Sequence, residues 1–239
     1  MKVQFRDLEM IDYQNAWDIQ EELLSKNLAL KAAARSADKV MNPFDIPTQH
    51  YLLFCEHFPV YTLGKSGDIS HVLISDEERE RKGIGFFRTN RGGDITFHGP
   101  GQIVGYPIMD LEKYYTDIGK YLRNLEEVII RVMSTYGLKG ERSKGETGVW
   151  LDPGVPGKER KICAMGVRCS RWVTMHGFAF NVNTDLSYFN NIIPCGIQNK
   201  QVTSLEKELG KKIDFKEAKE RVKKNFEKVF EVELVNDEW

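Results

Sequence analysis

Residues 88–108 read "RTNRGGDITFHGPGQIVGYPI", a stretch in which Gly92, Gly93, Gly99 and Gly101 form a loop, strand, loop arrangement carrying Arg91 and His98. Glycine pairs turn the backbone through positive φ and let another molecule come close to the main chain. A phosphate-cradling glycine loop feeds directly into a helix. Here a strand follows, and no Gly-Lys-Ser or Gly-Lys-Thr occurs within the stretch. The segment is expected either to lie against a bound molecule or to be two tight hairpin turns with nothing bound.

Outward from this segment the β-rich character continues. "YLLFCEHFPVYTLG" from Tyr51, "GIGFFRTN", "QIVGYPIM", "TGVWL", "KICAMGVR" and "VTMHGFAFNV" are short apolar runs separated by Gly- and Pro-containing turns. They predict many strands sharing one sheet. Before them comes a strand in "VQFRDLE" and then a helix over Ile11 to Lys26, with Tyr13, Trp17, Leu23 and Leu24 at helical spacing. The next stretch, as far as Pro43 and Pro47, has no clear period and predicts a helix extension followed by a surface excursion. A second helix has Thr116 or Asp117 as its cap, an apolar face of Ile118, Leu122, Leu125, Ile129 and Val132, and Gly137 at its end. Capping-box patterns, Thr203 with Glu206 and Asp214 with Glu217, predict two closing helices. Strands bunched in the middle and helices outside them predict an α+β fold in one domain.

The chain has 239 residues, 41% hydrophobic and 29% charged, enough to bury a full core. No run approaches the roughly 18 apolar residues of a membrane span. "MKVQFRDLEM" puts acids where a signal peptide needs an apolar core, so a cytoplasmic protein is expected. A net charge of -1 excludes the global basic field that attracts nucleic acid. Cys55, Cys163, Cys169 and Cys195 make no CxxC pair and the five histidines are scattered, so the cysteines are expected as reduced thiols and no structural zinc site is expected. Lys139 to Arg171 holds eight bases against four acids. That excess is either a solvated face or a docking surface for an acidic partner.

A lone cysteine is usually a small buried hydrophobe, and Cys55 in "LLFCEH" fits that description. Cys195, in "NNIIPCGIQNK", sits in an irregular segment whose N–H groups can face a reacting oxygen. A thiol is a weak nucleophile until its proton is removed. Candidate bases are His98, His176 and Lys161, the last opening the apolar strand of "ERKICAMG". Neither histidine lies in a cysteine-protease signature, and a strand lysine commonly points to solvent.

Five blocks, "HFPVYTLGKSG", "RGGDITFHGPGQIVGYPI", "RKICAMGVR", "HGFAFNVNTDLSYFNNIIPCGI" and "VTSLEKELG", resemble in order and spacing the octanoyltransferase family of lipoate biosynthesis. The resemblance covers nearly the whole chain, and "RGG..TFHGPGQ" is its most specific element. It implies one catalytic domain over residues 1–239, similar to biotin- and lipoate-protein ligases, with a mixed, largely antiparallel sheet flanked by helices. It implies transfer of an octanoyl (or lipoyl) group from acyl carrier protein to a specific lysine of lipoyl domains, as the first step of endogenous protein lipoylation. The implied acceptors are the E2 subunits of 2-oxoacid dehydrogenases and the glycine cleavage H protein, with no cofactor, metal, nucleic acid or membrane involved.

Residue by residue, the family's acyl-thioester cysteine matches Cys195 and its cysteine-activating lysine matches Lys161, which burial would equip to take the thiol proton. Its substrate-lining positions match Arg91, Gly92, Gly93, Asp94, Ile95, Thr96, Phe97 and His98, then Ala164, Met165 and Gly166, then Gly177, Phe178 and Ala179. Two departures stand out. Cys163 replaces the family's usual alanine, and strand alternation predicts it on the same face as Lys161, close to the site. Lys31 to Thr48 matches poorly and reads as an elaborated surface connection. Three rival readings differ in chemistry. An ATP-dependent ligase would carry a phosphate loop and no catalytic cysteine; a non-catalytic binding module would not keep Lys161 with Cys195; a cysteine hydrolase would show a histidine signature.

Overall fold

The computed structural model describes residues 1–36, 42–194 and 201–236. In chain order its strands are β1 (Lys2–Ile11), β2 (Tyr51–His57), β3 (Val60–Leu63), β4 (Gly85–Arg88), β5 (Ile95–His98), β6 (Gln102–Ile108), β7 (Val149–Leu151), β8 (Arg160–Ser170), β9 (Val173–Asn181), β10 (Gln201–Val202) and β11 (Glu233–Asn236). The helices are α1 (Tyr13–Ser36), α2 (Asp76–Arg81), α3 (Ile118–Ser134), α4 (Leu205–Leu209) and α5 (Phe215–Phe230). The strands make two sheets rather than one. The larger has the order β10-β8-β9-β6-β2-β1-β11 with β7 alongside β8, and the smaller is β4-β3-β5. Local apolar patterning marks a strand but not its partner, so the division was invisible in the sequence. In the large sheet β2, β6, β9 and β8 pair antiparallel in turn, while β1 is parallel to both β2 and β11.

Both faces of the large sheet are covered, which explains why its central strands are continuous apolar runs. Alternation divides each strand between two cores. Leu52, Phe54, Ile103, Phe178 and Phe180 face α3 and α5, with Leu125, Val128, Ile129, Val222 and Phe226. Leu53, Cys55, Val104, Ile108 and Met175 face α1, with Ala16, Leu23 and Leu24. A third cluster, including Tyr61, Leu63, Ile95, Phe97 and Phe189, fills the small sheet.

Helix α3 is capped by Asp117, whose Oδ1 accepts the Lys120 N–H at 2.9 Å, and α5 by Asp214, which accepts from Glu217 at 2.9 Å. The cap of α4 is Ser204 rather than Thr203; Thr203 is fully buried and its hydroxyl donates to Glu208. Helix α1 runs ten residues past Lys26, to Ser36. Its buried stripe continues through polar side chains, each with a partner. Gln20 accepts the His176 N–H at 2.9 Å, Asn27 exchanges two hydrogen bonds with the Gln49 backbone, and fully buried Lys31 pairs with Asp110 at 2.5 Å and Glu112 at 2.9 Å. Thr48 donates to the other Asp110 oxygen at 2.9 Å. Lys31 and Thr48 are therefore not parts of a surface connection, as expected above, but anchors of the core.

Candidate active site

The glycine loop joins the two sheets. It enters from β4, and Gly92 donates its N–H to the Val167 carbonyl of β8 at 3.0 Å before the chain returns to the small sheet as β5. A Cβ on Gly166 would stand 2.6 Å from the Gly92 carbonyl, and Gly93 has φ +86°, so these positions demand glycine. The buried Arg91 guanidinium fastens the loop. It donates to the Thr62 carbonyl at 2.6 Å, the Thr62 hydroxyl at 3.0 Å, and the carbonyls of Asp94 at 2.8 Å and Gly92 at 3.0 Å.

Between loop and large sheet lies a cavity of about 670 Å³. Its sheet wall is the register of β8 on β9, where Ala164 stands opposite Ala179, Met165 opposite Phe178 and Gly166 opposite Gly177. The positions Arg91, Gly92, Gly93, Asp94, Ile95, Thr96, His98, Ala164, Met165, Gly166, Gly177, Phe178 and Ala179 all border it. Phe97 does not: it stacks on Tyr188, ring centroids 4.5 Å apart, inside the small-sheet core. Ile118 and Leu122, one turn apart on α3, border the cavity, and Ile118 also packs against the core that α3 shares with the large sheet.

Lys161 opens β8 at 9% exposure and borders the same cavity. Its Nζ lies 4.5 Å from the Trp150 ring centroid, and its Cε is 3.6 Å from where a Cβ on Gly148 would stand. Gly148 is held by Glu126, which accepts its N–H at 2.9 Å. Burial pushes the Glu126 carboxyl up, against the Gly148 hydrogen bond and the guanidiniums of Arg123 and Arg142. β7 meets β8 at a register shift: Val149 pairs with Cys163 and Trp150 with Lys161, so Ile162 is the extra residue of a bulge. The bulge breaks simple alternation, and Cys163 is fully buried in the core cluster rather than beside Lys161 at the cavity. Burial also pushes its thiol well up. Cys55 is likewise buried with its thiol raised.

Cys195 lies outside the described residues. Pro194, to which it is joined, borders the cavity, as does Val202, whose strand β10 pairs Val202 with Lys161. Both candidate histidines are occupied. His98 Nδ1 is 2.8 Å from Gln102 Oε1 and Nε2 is 3.2 Å from the Thr62 hydroxyl. His176 Nε2 is 2.7 Å from Asn90 Oδ1. Burial holds His98 well below the usual histidine range and lowers His176 to about 3, so both are neutral.

Several bases of the run from Lys139 to Arg171 are held in ion pairs. Arg142 holds Glu126 at 3.1 Å and Glu127 at 2.8 Å, Arg160 holds Asp152 at 2.5 Å and Glu208 at 2.7 Å, and Arg168 reaches Glu21 at 2.7 Å. Sequence reasoning also missed His71, at the cavity and 2.6 Å from Asp94; its partner is 23 residues away in another loop, and no spacing rule joins them. Among the described residues no cluster of three or more His, Cys, Asp or Glu side chains is arranged to hold a metal, and no helix is long and apolar enough to cross a membrane.

The two sheets and the cavity between them form a catalytic domain of the lipoyl protein ligase type, since residues 12–227 match the model of the lipoyl protein ligase A/B catalytic domain. The bi-partite lipoate protein ligase of Thermoplasma acidophilum superposes with a TM-score of 0.68 at 16% identity, covering 99% of this chain and 87% of that one, a likeness of fold. The octanoyltransferase of Christiangramia forsetii is 57% identical over 234 residues, 98% of this chain and 97% of its own length. That of Flavobacterium johnsoniae is 57% identical over 235 residues, 98% and 99% respectively. The chain belongs to the octanoyltransferase family within the lipoyl protein ligase A/B domains, and is an acyltransferase.

Proposed function

We propose that the chain, acting in the cytoplasm as one catalytic domain, moves an octanoyl or lipoyl group from acyl carrier protein to a lysine of lipoyl domains, through a thioester on Cys195. The acceptors are the E2 subunits of 2-oxoacid dehydrogenases and the glycine cleavage H protein. The observation that carries this reading is that Lys161 and Pro194, the residue bonded to Cys195, border one cavity. A lysine there can take the thiol proton, give it to the departing carrier thiol, and take part again when the acceptor amine attacks. Thioester exchanges for thioester at little cost and the amide forms downhill, so no ATP is consumed. Met165, Phe178, Ile118 and Leu122 give the acyl chain an apolar wall at about 0.8 kcal/mol per buried methylene. N–H groups of the glycine loop and of the segment around Cys195 would receive the oxyanion.

Intact-mass measurement after mixing with octanoyl-acyl carrier protein tests the reading. The wild-type chain should gain one octanoyl group, and Cys195→Ala and Cys195→Ser should gain none and transfer none. Substantial transfer by purified Cys195→Ala removes Cys195 as nucleophile.

A further inference from the structure

Aminolysis of a thioester, the reaction on which this inference rests, has a proton balance that a thiol-to-thiol shuttle does not close. Forming the acyl enzyme replaces one thiol by another and releases no net proton. The second half-reaction converts an enzyme thioester and an alkylammonium into an amide, an enzyme thiol and one free proton. The C–S bond breaks and the C–N bond forms. The ammonium must shed a proton before its nitrogen has an electron pair to attack with, and one proton per turnover must reach water.

We propose that His71, oriented by Asp94, is the catalytic base that takes this proton from the acceptor lysine. Both residues border the cavity. His71 Nδ1 lies 2.6 Å from Asp94 Oδ2. A carboxylate only accepts, so Nδ1 carries a hydrogen, and in the neutral ring Nε2 is then the atom with a lone pair. Among the described residues no group hydrogen-bonds Nε2. Asp94 is itself fixed, its Oδ1 accepting the Asp68 N–H at 3.2 Å.

The position suits the second half-reaction. The His71 carbonyl accepts the Ile193 N–H at 2.8 Å, and Val72 bridges to Ile192, tying His71 to the residues that lead into Pro194 on the cavity wall. Its side chain is 24% exposed, so a proton taken at Nε2 can pass to water. The other histidines, His50, His57, His98 and His176, are buried, and burial holds each below its ordinary range. The competing account is structural: the pair pins residues 66–72 to the glycine loop and touches no substrate.

The test separates the half-reactions. The octanoyl enzyme is formed from octanoyl-acyl carrier protein, followed by intact mass, and then discharged with either a lipoyl domain or hydroxylamine, a nucleophile uncharged at neutral pH. His71→Gln keeps a donor toward Asp94 but cannot take the proton. It should load at the wild-type rate, discharge to the lipoyl domain roughly 10²-fold more slowly, and discharge to hydroxylamine as wild type does. Raising the pH should narrow the deficit with the lipoyl domain, because more acceptor lysine is then already neutral. Equal losses with both nucleophiles, a loss in loading as large as that in discharge, or undiminished transfer to the lipoyl domain each overturns the assignment to His71. Absence of any octanoyl adduct on the wild-type chain overturns the reaction itself, and this inference with it.

Discussion

Lys161 approaches its cavity between an indole face and the backbone at Gly148, a setting that restricts where the ammonium can go. Lys161→Arg should lose octanoyl transfer almost as completely as Lys161→Ala. Arginine keeps the charge but cannot give up a proton, so steady-state transfer by the two variants separates proton transfer from simple stabilisation of a thiolate. An active Lys161→Arg enzyme would show that charge alone suffices. Cys163→Ala should leave transfer nearly unchanged and cost about 1 kcal/mol of stability, read from urea denaturation, since the residue fills core volume and is absent from the cavity wall. At this scale the sequence was uneven. Lys161 was recognisable only through its family block, because alone it was one strand lysine among several. The burial of Cys163 depends on the extra residue Ile162, and a one-residue bulge leaves no mark on composition or period.

Among the elements, α3 and α5 were legible because their buried positions are almost all apolar and their caps are aspartates in the expected places. The second half of α1 was expected as a helix extension but its inward face was not, because the inward positions there are Asn27 and Lys31, which no apolar period detects. The Lys31–Asp110 pair, with both side chains fully buried, holds this half of the helix to the turn after β6. Lys31→Met should destabilise the chain by about 3–5 kcal/mol, because it leaves the Asp110 carboxylate buried beside only Thr48 and backbone donors. The check is a lower urea midpoint at unchanged m. A loss below about 1 kcal/mol would show that α1 is held by its apolar contacts alone.

For the whole molecule, fold class and strand content followed from patterning, while the enclosure of the cavity between two sheets followed from pairings that only the folded chain displays. Burial also sets a pH limit. His50 and His57 are each lowered to about 4 and His176 to about 3, against an ordinary 6.5, and burial holds His98 well below that value too. Below about pH 6.5 the unfolded chain takes up protons that the folded chain refuses, so stability falls as pH falls from 6.5 toward 4 and is fully present above that window. Urea midpoints at pH 7.5, 6 and 5 should decline with a slope of several protons. A flat profile over that range would mean that these rings open to solvent in the folded state.

The indole beneath the Lys161 ammonium makes the chain its own optical indicator. The chain has four tryptophans, Trp17, Trp150, Trp172 and Trp239, and Trp150 has the Lys161 ammonium placed over its ring. A charge at that distance shifts the energy of the excited indole. A chain keeping Trp150, with phenylalanine at the other three positions, should therefore change emission as an acyl chain enters the cavity and again as it leaves, giving a stopped-flow record of both half-reactions without a label.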